Sequence, residues 1–96
     1  MKQKIKVKMK ITKNGKTIFD DVKRFDTAWE ASMWCTRSTT DSFGDDLNKV
    51  RVRRTKETVM FDSELDVAEQ YQRSDYTTSE GMEYIVIIGY FDEESN

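Results

Sequence analysis

The chain has 96 residues, 35% of them charged and 36% hydrophobic, with a formal net charge of −2, one cysteine and neither histidine nor proline. That length fits a single domain over residues 1–96 with a small core, and the charge content lies above the usual ~25%. The missing histidine excludes every His-based triad, general base or metal site, and a lone Cys35 excludes an internal disulfide and a Cys-rich zinc site.

The net charge conceals a polarity along the chain. Residues 1–24 carry +7, residues 25–56 carry +1 and residues 57–96 carry −10. Such a distribution predicts a basic surface set against an acidic one, or halves that neutralise each other across neighbouring strands.

Lys2, Lys4, Lys6, Lys8 and Lys10 alternate with Gln3, Ile5, Val7, Met9 and Ile11. This period of two is the signature of a half-buried strand. Asn14-Gly15 follows, and a type I′ turn with positive φ at both residues makes it a hairpin signal. The return strand is expected over Thr17–Arg24, with Ile18 and Val22 inward.

Thr27 and Glu30 form a capping box that opens a helix over about residues 27–40, ended by Phe43-Gly44. Trp29 and Met33 share its apolar stripe, widened by Ala28, Ala31, Trp34 and Cys35. Helical spacing reads the stripe as core packing. Trp29 and Trp34 are five positions apart, so one of them is expected near the surface, where it would mark an interface. Cys35 falls on the apolar side, where a free cysteine is normally an inert core residue.

Lys49–Arg54 alternates again, which predicts Val50 and Val52 inward and Lys49, Arg51 and Arg53 outward. A turn near Thr55–Glu57 would lead into a strand at Thr58–Phe61. Leu65, Ala68 and Tyr71 stand at helical spacing, so a second short helix over about 63–73 is a further expectation. The polar stretch Ser74–Glu83 reads as a loop. Glu83–Phe91 is the last strand and is apolar on both faces, which suggests a central strand covered on both sides. The expected fold is therefore α+β: a mostly antiparallel sheet of four to five strands with one main helix on one face.

Few groups in the chain could carry chemistry. The four glycines form neither a phosphate loop nor a dinucleotide fingerprint, and the Asp41/Asp45/Asp46 cluster lacks EF-hand spacing. No cofactor and no metal is expected, and the protein reads as a non-enzyme.

The basic strand is the sharpest feature. Lys4, Lys6, Lys8 and Lys10, joined by Arg51 and Arg53 where the first and third strands share an uncovered face, would form a binding patch. Its ~6.6 Å lysine spacing is close to that of successive phosphates. The competing reading is that edge-strand lysines block aggregation. Trp34, Tyr84, Val86, Ile88 and Tyr90 are the candidate interface, with a homodimer and a monomer equally open.

Three functions follow. The first is a small non-catalytic regulator or inhibitor that binds another macromolecule, most readily a protein. In style it is similar to accessory proteins of phages and mobile elements. The second is a nucleic-acid-binding module that uses the basic sheet face. The third is a dimer that binds a small anionic ligand such as a nucleotide. Tyr84–Phe91 is too short to span a bilayer, and no apolar leader follows the first lysines, so a cytoplasmic protein is expected.

Overall fold

The computed structural model describes residues 5–62 and 67–92, with side chains given except at 58–62, 67–70 and 92. Strands β1 (Ile5–Lys13) and β2 (Lys16–Phe25) form the first hairpin. Helix α1 (Ala28–Phe43) and the 3₁₀ helix α2 (Gly44–Lys49) follow. Strands β3 (Val50–Asp62), β4 (Val67–Thr78) and β5 (Glu83–Asp92) complete the order. All five strands join one sheet, in the spatial order β2-β1-β5-β4-β3, with every neighbour antiparallel. The expected α+β architecture is what the chain adopts. Among the described residues no helix is long and apolar enough to cross a membrane.

The lysine alternation places Val7, Met9 and Ile11 on one face of β1, where all three are buried. Asn14 and Gly15 have φ of 49° and 82°, so the hairpin closes on the left-handed turn that this dipeptide favours. The Asn14 side chain also accepts from the Glu83 backbone N–H at 2.9 Å, which ties the turn to β5.

Thr27 caps α1 by accepting from the Glu30 N–H at 3.2 Å. The Ser/Thr-rich end stays helical, and the Thr39 and Thr40 hydroxyls are satisfied within it by donating to the carbonyls of Cys35 and Thr36. Phe43 then anchors the last turn. It stacks on Tyr84 at 4.2 Å between centroids and meets Tyr76 edge-on at 5.0 Å.

The helix presents a different stripe to the sheet from the one expected. Ala31, Cys35 and Ser38 face inward, while Trp29 is 71% exposed and Met33 42% exposed. Small residues let the helix sit close to β1 and β2, and this rotates the bulky pair away. Trp34 fills the margin, with ring contacts to Phe19 at 6.0 Å and Phe25 at 5.6 Å.

Three further expectations are corrected. Residues 67–73 form strand, not a second helix; residues 63–66 lie outside the described residues. The polar stretch from Ser74 continues β4 to Thr78. There Ser74 is buried and shares a hydrogen bond with Thr55 at 3.0 Å, and Thr78 Oγ1 accepts from the Met82 N–H. β3 runs unbroken through Thr55–Glu57. In each case pairing to neighbouring strands overrides a weak local preference.

Asp46 pins α2 onto the sheet. Its carboxylate accepts from the Tyr84 hydroxyl and faces the ammonium groups of Lys13 at 3.6 Å and Lys49 at 3.9 Å. The Tyr84 hydrogen bond, ahead of the two lysines, holds this carboxyl below the usual carboxylate range. A depressed folded-state value stabilises the fold above the unfolded value near 3.8, and that stability is lost as pH falls through the folded value. Thermal melts between pH 7 and pH 2.5 are expected to show an acid-side loss of stability that is shallower in Asp46→Asn. Parallel curves would mean that Asp46 contributes nothing to the acid limb.

Candidate binding face

Because paired residues in a sheet share a face, the register assigns every side chain to one side. The helices cover the side bearing Val7, Met9, Ile11, Tyr84, Val86 and Tyr76. Neither helix covers the other side. Five rows cross it. Arg24, Lys6 and Phe91 align, and then Val22, Lys8, Gly89 and Tyr71. The next row is Asp20, Lys10, Ile87, Arg73 and Lys56, the fourth is Thr12, Ile85, Asp75 and Arg54, and the last is Glu83, Thr77 and Val52.

The uncovered face thus collects seven basic side chains among the described residues: Lys6, Lys8, Lys10, Arg24, Arg54, Lys56 and Arg73. Against them, among the described residues, stand Asp20, Asp75 and Glu83, the second bonded to Arg73 at 3.0 Å. The described part of the uncovered face is therefore basic on balance.

An apolar floor lies between the two basic columns. Phe91 is buried beneath the ammonium groups of Lys6 and Lys8, which stand 5.2 and 5.6 Å from its ring centroid. Ile85 and Ile87 are half-buried. Gly89 has the Tyr71 ring lying across it, and a Cβ there would meet that ring at 3.0 Å. The floor thus needs glycine at this point to stay flat. A shallow recess of about 370 Å³ opens beside Val52, Arg54, Arg73 and Ile85.

The structure divides the sequence-derived patch. Lys6, Lys8 and Lys10 share the uncovered face, and Lys4 lies outside the described residues. β3 does not lie beside β1. β5 and β4 intervene, so the columns are three inter-strand steps apart, about 14 Å. A bulge between Val50 and Val52 also reverses the expected facing. Arg51, the extra residue, folds back onto the carbonyls of Asn48 and Val50. Arg53 points to the helix side, 5.6 Å from the Tyr76 ring centroid. Arg54 and Lys56 occupy the positions expected of Arg51 and Arg53. Strict alternation does not find these two, because the bulge shifts its phase, and the helical spacing around Tyr71 hides Arg73.

The candidate interface is also placed inside. Tyr84 and Val86 are buried beneath the helices, and Trp34, Ile88 and Tyr90 pack against the same core. The residues left on the uncovered side are those of opposite parity, Ile85 and Ile87. Likewise Ile18 and Val22 are exposed at 41% and 45%, because an irregularity near Thr12 leaves Phe19 and Phe25 as the inward pair.

On the helix side a groove of about 340 Å³ runs between α1 and β4, lined by Thr36, Thr39, Arg53, Gln72, Tyr76 and Tyr90. Among the described residues Arg53 is the one cation in its lining. Burial, with Cys35 beside it, pushes the Tyr90 hydroxyl up to about 12, and burial also raises the Cys35 thiol. Both stay protonated near neutrality, which suits hydrogen bonding and not nucleophilic attack. No group of three or more potential metal ligands occurs among the described residues.

Comparison of the chain with protein-family models, curated proteins and solved structures found no match in any of the three.

Proposed function

We propose that the protein is a non-catalytic binding module that holds an extended nucleic-acid strand across its uncovered sheet face. The observation carrying this reading is the placement of Lys6, Lys8 and Lys10 on one side, and Arg54 and Lys56 on the other, of an apolar floor with Arg73 within it. Cations at ~6.6 Å intervals match the spacing of phosphates along a strand, and a flat apolar floor between them accepts bases. A chain without histidine, whose cysteine is buried, offers little for catalysis.

Fluorescence anisotropy with labelled single-stranded DNA and RNA tests the proposal. Contact with four to five phosphates is expected to give a slope of log affinity against log salt of about −3. No binding at the lowest salt that keeps the protein in solution would end this reading.

One observation favours a second reading, a protein partner with an acidic surface. Phe91 lies under lysine stems, so the face offers charge more readily than an open ring for stacking. Such a partner would leave the oligonucleotides unbound and would be recognised through the same cations.

A further inference from the structure

We infer that two copies of the chain pair edge to edge through β2, forming a continuous ten-stranded sheet with both basic faces on one side. Among the described residues β2 is an edge strand, with β1 as its one partner in the sheet. Edge strands present unpaired backbone groups that template the addition of another strand. The Val22 N–H donates not to β1 but to the carboxylate of its neighbour Asp21, at 2.8 Å. That donor therefore lies on the outer side, and by alternation so does that of Asp20.

The side-chain pattern selects a second copy as the occupant. Two antiparallel edge strands related by a two-fold axis must have the axis perpendicular to the sheet if both basic faces are to lie on one side. Facing residues then share a side, and only registers centred on a residue are allowed. Centring on Val22 sets Asp20 against Arg24 of the second copy on the uncovered side. On the helix side it sets Asp21 against Lys23 and Phe19 against Phe25. Every charge from Asp20 to Arg24 meets its opposite, and the Asp21 carboxylate has a lysine to turn to when it releases the Val22 N–H. Centring on Asp20, Asp21 or Lys23 instead places like charges face to face.

The hydrophobic groups fit the same seam. Val22, 45% exposed, would meet its own copy at the axis. Phe19, half-buried beside Trp34, would gain the Phe25 ring of the second copy. The opposite edge lacks this fit. Arg53, Arg54 and Lys56 crowd β3, and a register centred on Thr55 sets Arg54 against Lys56.

Sedimentation velocity over a concentration series is the test. The expected mass is twice the 11.3 kDa of the chain. Asp20→Arg sets a new arginine against Arg24 at both ends of the seam and is expected to weaken dimerisation by about tenfold or more. The exchange D20R/R24D restores the opposition and should return the dissociation constant to within about threefold of the original. Val22→Pro removes an outward donor without breaking the ladder to β1, and is expected to give a folded monomer. Where Val22→Pro fails to fold, the charge exchange decides alone. A chain that stays monomeric up to about 0.5 mM, or a dimer that Asp20→Arg leaves unchanged, overturns the inference.

Discussion

Replacing Lys6, Lys8 and Lys10 together with glutamine will lower affinity for single-stranded nucleic acid several hundred-fold at about 50 mM salt. Each phosphate contact on a single strand releases about 0.7 counterion, which multiplies affinity by about eightfold at that salt relative to 1 M. Three lost contacts compound to roughly five hundred-fold, and the salt slope should flatten by about two. The matched control removes three exposed cations from elsewhere, Lys16, Arg37 and Arg51, leaving the net charge of the two variants equal. Equal loss in both variants would show that net charge, not the β1 column, drives binding. Thermal melts separate binding from folding, since Lys6 and Lys8 also cover Phe91 and each contact of this kind contributes about 0.5–1 kcal/mol.

The largest effect on stability is expected at Phe43. Its ring is 3% exposed and fixes the junction of α1 and α2 against Tyr76 and Tyr84. Phe43→Ala removes the buried ring and both aromatic contacts, a loss of about 3–5 kcal/mol. Against a total of about 5–14 kcal/mol for a chain of this length, that is a large share. The melting temperature should fall by roughly 15–30 °C. Trp29→Ala is the informative comparison. It deletes a larger side chain that is 71% exposed, and should change stability by no more than about 0.5 kcal/mol. A similar loss in both would mean that Trp29 is covered in solution, and a small loss at Phe43 would mean that α1 is not anchored there.

The contrast between these two aromatics shows what can be read from the sequence. The first hairpin is legible because its signals are local: the lysine alternation fixes the facing of β1, and Asn14-Gly15 fixes the turn. The capping box likewise locates the start of α1. The rotation of α1 is not legible, because the choice of Ala31, Cys35 and Ser38 over Trp29 and Met33 is made by how closely the helix approaches the sheet. β4 is not legible either. Gln70, Gln72 and Ser74 carry no strand preference, and they are held extended by ladders to β3 and β5.

The candidate face is half legible for a related reason. Side chains alternate with a period of two, so one extra residue reverses all that follow it. The irregularity at Arg51 exchanges Arg53 for Arg54, and the one near Thr12 turns Ile18 and Val22 outward. Neither bulge contains a glycine or a proline to announce it. Both become visible only once the partner strands are counted against each other.

The middle position of β5 has a consequence for how the chain reaches this fold. The β1–β2 and β3–β4 hairpins each close between segments adjacent in sequence, and each can form early and independently. They do not touch each other in the ladder. β5 bonds to β1, about eighty residues away in sequence, and to β4 on its other side, so a single insertion event unites two preformed halves. Until then both halves expose open edges flanking what will become the interior, and the rate at which β5 finds its slot sets how long the chain spends vulnerable to mispairing.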